Sequence, residues 1–374
     1  MSMELTKKQT ETPPERAPRP TARRQSPTTT FFRTAIPLVL AIVALTLYSN
    51  SRNSAFLTTT NFDNILSQIA VLGILAAGQT FLIIGGQLDL SVGSMVSFVA
   101  VVAAKLFGAS WSTPEVVVIC LGLGTGVGLV FGVIVAFLRV PPFILTLGGL
   151  SVFASLALVL SNNSPVSVAS GLETLGFGQF LGLRAPAVTL IVVLIVMGLL
   201  LHFTRFGRNV YALGSSPQAS FLAGLPTKRL TVELFALNGL LTGLAGLVMM
   251  ARLASGDPNS GQGLELSTIA VTVLGGAALA GGRGTMIGTF LGAMVFGTVN
   301  ASLTFLQVAG AYQSLVSGGI LIFAVVATAA ADLRSAQVRT RAGFAAALRS
   351  QVSRFVSRRP PAEAQPAPPG GSGP

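Results

Sequence analysis

Long apolar stretches without charge recur along this sequence and set the strongest limit on its fold. Residues 65–84 and 90–104 carry no ionisable side chain. A membrane-spanning helix needs about 20 apolar residues. Charged residues make up 10% of this chain, against about 25% of a soluble domain. The sequence therefore predicts an all-α, polytopic membrane protein.

Ten segments are long and apolar enough to be predicted as transmembrane helices. Only the sequence GGQLD separates the second from the third, which predicts either a tight hairpin or one broken helix. The predicted spans are residues 34–50, 65–84, 90–107, 114–138, 142–160, 186–204, 230–252, 264–282, 286–306 and 312–331.

The basic residues predict the orientation of the chain. With the N-terminus inside, 20 of the 24 Lys and Arg residues fall on inner segments, which is the bias expected of cytoplasmic loops. We therefore expect both termini in the cytoplasm. Residues 1–33 are predicted to be a disordered basic tail, residues 34–333 the transmembrane domain, and residues 334–374 a basic tail rich in Pro and Gly.

Several functional classes find no support in the sequence. None of the four lysines lies in a G-x-x-x-x-G-K-[ST] phosphate-binding motif, so this chain is not expected to hydrolyse ATP by that route. The single histidine, His202, has no set of metal ligands near it. We expect no catalytic site, cofactor or metal. The net charge of +12 lies mostly in the tails and loops, so topology explains it better than nucleic-acid binding.

The polar residues within the predicted spans are mostly neutral, which favours a pathway for an uncharged polyol over one for an ion. Charge within a membrane is costly and is usually kept for function. The alternative is that these side chains only form hydrogen bonds between helices. The candidate pathway residues are Gln79, Thr146, Asn238, Thr272, Thr289 and Asn300.

Asp89 is an acid between two apolar spans and has two possible roles. The predicted topology puts it at the inner end of the connection between the second and third spans. Just before a helix that starts at Leu90–Ser91, a carboxylate would cap free N–H groups and complement the helix dipole. Alternatively, Asp89 forms a gate with Arg139 or Arg283, both on the inner side.

The inner segment 205–229 is too long for a turn and too apolar for a solvated linker. A short helix is predicted after Ser216–Pro217, because Ser suits the N-cap and Pro the first turn. Phe221, Leu222 and Leu225 can share one side of this helix. Such a surface indicates either a protein partner or an interfacial helix that lies on lipid.

Glycine recurs at four-residue spacing, which lets helix backbones approach closely in lipid. One such row is Gly124, Gly128 and Gly132, and Gly239 and Gly243 begin another. The sequences GGQLDLSVGSM (85–95) and GGAALAGGRGTM (275–286) resemble each other with a one-residue gap. Transporters are often built from repeats with broken helices at corresponding points, so this similarity suggests an internal repeat without establishing it.

Four motifs in order resemble the ribose-type sugar permeases of bacterial ABC importers, over roughly residues 60 to 333. GGQLDLSVGS resembles that family's G-G-[IL]-D-L-S-V-G-S signature, and the segment beginning PPFILTLGG at residue 141 resembles its Pro-Pro-Phe-Ile-x-Thr-Leu-Gly segment. GRNVYALGSSPQASFLAGLPTKR resembles its cytoplasmic coupling segment. TVLGGAALAGGRGTMIGTFLGA resembles its V-x-G-G-x-S-L-x-G-G-R-G-[ST] segment.

The resemblance implies a dimeric permease subunit in the bacterial inner membrane, which imports a monosaccharide such as a pentose or hexose. It implies separate ATPase subunits and a periplasmic or lipid-tethered sugar-binding protein as partners. Residues implied to contact the ATPase are Ser216, Pro217, Gln218, Phe221, Leu222 and Gly224. This chain departs from the family at the uncharged residues 215–219 and at Ala278, where the motif has Ser. A stand-alone secondary carrier and an exporter of a lipid-linked or small signalling molecule remain alternatives.

Overall fold

The computed structural model describes residues 27–168, 172–180 and 182–310, and of the following segment residues 312, 315, 316, 318–320, 322, 323 and 326. Most of the predicted N-terminal tail, much of the tenth predicted span and the C-terminal tail lie outside the described residues. The helices are α1 Pro27–Arg52, a 3-10 turn Ser54–Leu57, α2 Thr59–Gln68, α3 Ala70–Ile84, α4 Val92–Gly108, α5 Thr113–Leu138, α6 Pro142–Ser161, α7 Glu173–Phe177, α8 Ala185–Phe203, α9 Arg205–Ser215, α10 Pro217–Leu222, α11 Thr227–Leu253, α12 Leu264–Leu274 and α13 Met286–Phe305.

Helix α3 forms the centre of the bundle. Every one of its 15 residues is buried, which is expected of a helix that is apolar on all sides. It packs against α8, α11, α12 and α13. Helix α2 precedes it at an angle of 49°. Its last residue, Ile84, is buried, whereas Gly86, where the chain reverses, is exposed.

Two glycine rows bring α5 and α11 together as an antiparallel pair. Gly132 packs against Val232, Gly128 against Phe235, and Gly124 against Gly239. A Cβ atom at Gly128 would collide with the carbonyl oxygen of Phe235. The predicted close approach of helices along this row is therefore present, and it sets the register between α5 and α11.

Short elements mark the two ends of the bundle. At one end, which we call the β end, β1 (Val166–Ser167) pairs antiparallel with β4 (Ser255–Gly256). A second short pair, β2 (Gln179–Phe180) with β3 (Leu183–Arg184), precedes α8. The connection between α6 and α8 thus meets the connection between α11 and α12 at this end. At the opposite end, which we call the α10 end, α9 and α10 connect α8 to α11.

The chain interrupts its helices twice in the same way. The first break, residues 85–91, follows α3, and the second, residues 275–285, follows α12. At the first, Gly86 N donates to Ile83 O and Gln87 N to Leu82 O; at the second, Gly276 N donates to Val273 O and Ala277 N to Thr272 O. Gly86 and Gly276 have φ values of 75° and 91°, where glycine avoids a steric cost. The same pair of hydrogen bonds also ends α4, α6, α10 and α13, so this helix end is not specific to the two breaks and the suggested repeat stays a prediction.

Five predicted spans, 114–138, 142–160, 186–204, 230–252 and 286–306, correspond to α5, α6, α8, α11 and α13. Three others differ, and the first of these, 65–84, falls across the bent helices α2 and α3. Six helices in the described part of the chain are long and apolar enough to cross a membrane, or seven if α2 and α3 count as one bent span. The predicted span 264–282 is helical only to Leu274, because Gly275 and Gly276 end the helix. The predicted span 90–107 begins as a helix at Val92 and has 17 residues.

Candidate functional site

Asp89 lies in the first helix break and is buried, with three hydrogen bonds to its carboxylate. Its Oδ1 accepts from Ser91 N at 2.8 Å and from Ser91 Oγ at 2.6 Å. Its Oδ2 accepts from Asn238 Nδ2 at 2.9 Å. The Ser91 bonds join the carboxylate to the N-cap residue of α4, two positions ahead, and the side chain of Ser91 itself does not cap the helix. The Asn238 bond links the first break to α11.

Asp89 lies farther from the ends of the helix bundle than the sequence predicted. Its partner Asn238 lies eleven residues from Thr227 and fifteen from Leu253, the two ends of α11, or about 17 and 22 Å along the helix. We expected Asp89 at the inner edge, but the chain turns back after Gly86. The carboxylate is therefore level with the middle of α11, at the start of a helix that runs toward the β end.

The two arginines considered as gate partners are both exposed, whereas Asp89 is buried. Arg139 is the exposed C-cap of α5, with a left-handed φ of 58°, seven residues or about 10 Å of helix beyond Gly132. Arg283 is exposed within the second break. The gate assignment for Asp89, Arg139 and Arg283 stays a prediction, as does the capping role.

The candidate pathway residues are not gathered around one cavity. The hydroxyls of Thr146 and Thr272 donate to carbonyls of their own helices, Pro142 O and Thr268 O. Thr289 and Thr80 share a hydrogen bond of 2.6 Å between α13 and α3. These bonds fit the structural alternative for the three threonines. Asn238 is the candidate pathway residue that donates a hydrogen bond to Asp89.

Gln79 is fully buried, as are Thr146 and Thr272, but it differs from them because neither of its amide atoms has a hydrogen-bond partner among the described residues. An unsatisfied buried amide costs about 1–3 kcal/mol. Asn300 is partly exposed and lines a small cavity of about 160 Å³ at the β end, beside Gln68 and Arg252. Both residues stay candidates for a pathway.

A larger cavity, of about 380 Å³, opens at the β end and was not expected from the sequence. Its polar lining includes Asn61, Gln68, Arg184 and Arg252. Asp63 holds Arg184 through an ion pair of 3.3 Å and a bond from Arg184 N of 2.9 Å. The sequence signal was available in the polar α2 segment TTNFDNILSQ, which the predicted spans divided at residue 65.

The predicted short helix at the α10 end is confirmed, but it ends at Leu222, so Leu225 does not share its surface as predicted. Helix α10 spans Pro217–Leu222, and the side chain of Ser216 accepts from Ala219 N as its N-cap. Phe221 is 69% exposed and Leu222 is 84% exposed. Gln218 is exposed on the same short helix, and Gly224 follows it with a φ of 79°. Two large apolar side chains are therefore presented outward at this end.

Helix α9, which the sequence analysis treated as part of a loop, is buried along one face. Val210, Leu213 and Gly214 are buried, and Phe206 packs against Phe81 of α3 with ring centroids 5.9 Å apart. The spacing of Phe206, Val210 and Leu213 is that of one face of a helix. That spacing was the signal that could have revealed α9.

Comparison with known proteins gives matches over most of the chain. Residues 61–325 match the family described as branched-chain amino acid transport system / permease component. No solved structure matches the chain significantly.

Three similar proteins have names that specify a sugar. The ribose import permease protein RbsC of Escherichia coli is 38% identical over 294 residues, covering 77% of this chain and 90% of RbsC. The L-arabinose ABC transporter permease protein AraH of Azospirillum brasilense is 36% identical over 327 residues, covering 87% and 96%. The xylose transport system permease protein XylH of Escherichia coli is 32% identical over 362 residues, covering 80% and 92%.

Proposed function

We propose that this chain, which belongs to the family of branched-chain amino acid transport system permease components, is the membrane subunit of an ABC importer for a monosaccharide. The observation that carries the proposal is the similarity to ribose, arabinose and xylose permeases over at least 77% of the chain. All three names specify a pentose, so a pentose is the first substrate to test. The chain lies in the bacterial plasma membrane.

ATP hydrolysis belongs to separate ATPase subunits in this proposal, and sugar capture to an extracytoplasmic binding protein. The absence of a phosphate-binding motif from the sequence supports the first assignment. The ATPase docks at the α10 end through Phe221 and Leu222, since exposed large apolar side chains are suited to anchor an interface. A second permease copy completes the pathway, and no nucleic acid is involved.

The α10 end faces the cytoplasm, and the β end faces the binding protein. The distribution of basic residues supports this orientation. One of these residues, Lys228, lies near the α10 end, where its ammonium is 4.9 Å from the ring centre of Phe137. Ten passes with both termini inside are consistent with the antiparallel pairing of α5 and α11. Two of the ten passes are made with short helices, because the chain breaks after α3 and again after α12.

Transport into proteoliposomes tests the proposal. We expect uptake of labelled ribose, arabinose or xylose only when the permease, its ATPase subunits, the binding protein and internal ATP are all present. An ionophore that collapses the membrane potential should leave uptake unchanged. Uptake by the permease alone, driven by an ion gradient, would establish the secondary carrier instead.

A further inference from the structure

One hydrogen bond links the second helix break to the end of α3. Gly282 N, in the second break, donates to Ile84 O at 2.8 Å. Ile84 is the last residue of α3, and carbonyls in the last turn of a helix lack partners within that helix. The second break thus supplies the hydrogen bond that the end of α3 requires. The second break is therefore linked to the helix residue that immediately precedes the first break.

Helix α9 packs against this junction through two residues. A Cβ atom at Gly214 would collide with Ile84 O and would lie 2.7 Å from Gly282 N, so only glycine allows this approach. Tyr211, one turn earlier, donates its hydroxyl to Gly284 O at 2.7 Å. Helix α9 consequently touches the end of α3 and the second break at once.

The same helix connects directly to the exposed α10. Ser216 alone separates the two helices, and its side chain caps α10. Val210 and Leu213 are buried on α9, whereas Phe221 on α10 is 69% exposed. A force applied to α10 by a bound protein would therefore reach the buried face of α9 through a single residue.

We propose that Tyr211 and Gly214 are positioning residues that transmit movement of α10 to both helix breaks. The inference rests on the proposed function, because it takes the ATPase as the protein that moves α10. Asp89 lies three residues after Gly86 in the first break, so movement at Ile84 also reaches the Asp89–Asn238 hydrogen bond. The two breaks move together because one hydrogen bond joins the second break to the residue that precedes the first.

The chemistry of Tyr211 suits a permanent link. Burial raises the pKa of Tyr211 to about 12. A tyrosine is protonated at physiological pH even at its ordinary pKa of about 10, so the phenol is a donor to Gly284 O with or without this shift. Tyr211→Phe removes this donor and keeps the ring, so it separates the link from the packing.

The test compares Tyr211→Phe and Gly214→Ala with two matched controls. Tyr48→Phe removes a hydroxyl from an exposed tyrosine on α1. Gly122→Ala adds a methyl group in α5, where no atom lies within 4 Å of the new Cβ. Three quantities are measured in the assembled complex: amide hydrogen exchange of residues 281–284, co-purification of the ATPase, and sugar transported per ATP hydrolysed.

For Tyr211→Phe we expect exchange in residues 281–284 to rise about fivefold, the effect of losing a hydrogen bond worth about 1 kcal/mol. Sugar transported per ATP should fall several-fold while the ATPase co-purifies at wild-type yield. Gly214→Ala should change the exchange rate and the sugar transported per ATP in the same directions and by more. The controls Tyr48→Phe and Gly122→Ala should match the wild type. If Gly214→Ala does not fold, Tyr211→Phe still decides the question.

Unchanged exchange and unchanged sugar per ATP in Tyr211→Phe would overturn the link, while the proposed function would stand. Loss of ATPase co-purification in that variant would also overturn it, since Tyr211 would then belong to the docking surface. If the wild-type chain itself binds no ATPase, both the proposed function and the transmission are wrong.

Discussion

Asn238 donates a hydrogen bond of 2.9 Å to the carboxylate of Asp89, across 149 positions of sequence. The bond lies level with the middle of α11 and joins the first helix break to the helix that packs on α5. The amide oxygen of Asn238, Oδ1, has no partner among the described residues. The pair therefore has an unused acceptor beside a buried carboxylate.

Substitution of Asp89 separates its hydrogen bonds from its charge. Asp89→Ala removes three hydrogen bonds, and we expect it to lower the free energy of unfolding by about 2 kcal/mol. Asp89→Asn should fold and transport nearly normally, because its amide oxygen can accept from Ser91 and a flipped Asn238 amide can accept from its NH₂. Detergent unfolding and sugar uptake provide the measurements.

The control for that substitution is Asp257→Ala. Asp257 accepts from the backbone N–H two residues ahead, Asn259 N, at 2.9 Å, in an exposed loop. Asp257→Ala should lower the free energy of unfolding by less than Asp89→Ala, because water replaces the lost hydrogen-bond partner. A folded Asp89→Asn variant that does not transport would favour the gate over the cap, and wild-type behaviour of both Asp89 variants would contradict both roles.

The glycine rows predict opposite effects for two substitutions on α5. Gly128→Ala forces a methyl group into the backbone of α11 at Phe235, and we expect a loss of about 2–3 kcal/mol because overpacking displaces the helices. Gly126→Ala meets no atom within 4 Å and should be neutral or slightly stabilising, because Ala favours helix over Gly. Thermal unfolding in detergent distinguishes them, and equal melting temperatures would contradict the packing assigned to Gly128.

Docking through α10 predicts that Phe221→Asp abolishes co-purification of the ATPase. The side chain is 69% exposed, so the permease should still fold and insert. Phe177→Asp is the matched control, since Phe177 is 62% exposed at the β end. Wild-type ATPase yield with Phe221→Asp would show that this face does not dock, and weakened membrane contact alone would favour a helix that lies on lipid.

Substituting the two partners of the Asp63–Arg184 ion pair should lower the free energy of unfolding by unequal amounts. Asp63→Ala removes the ion pair and the bond from Arg184 N, and it should cost about 2 kcal/mol. Arg184→Ala keeps the backbone bond and loses an ion pair whose arginine is 43% exposed, so about 0.5 kcal/mol is expected. Chemical denaturation in detergent measures both; a larger cost for Arg184→Ala would mean that its packing in the β-end cavity matters more.

Local features were predictable because neighbouring residues determine them. The apolar runs predicted α5, α6, α8, α11 and α13. Ser216 and Pro217 predicted the start of α10, since a cap and a first-turn proline act within one turn. The row Gly124, Gly128 and Gly132 predicted a close helix contact, although not its partner. The four motifs were sufficient to predict the family, which the comparisons confirmed.

Tertiary structure alone decided which segments meet. The depth of Asp89 depends on the chain reversing after Gly86, and its partner Asn238 is distant in sequence. Hydropathy predicted a full span for 264–282 because it averages over a window and does not register that Gly275 and Gly276 end α12. Neighbouring residues do not predict the contacts of Tyr211 and Gly214. The hydrogen bonds and the close approach at this point form only when folding brings α9, Ile84 and Gly282 together. The sequence by itself therefore determined the helices and their caps, whereas close packing in the folded bundle determined the buried contacts between them.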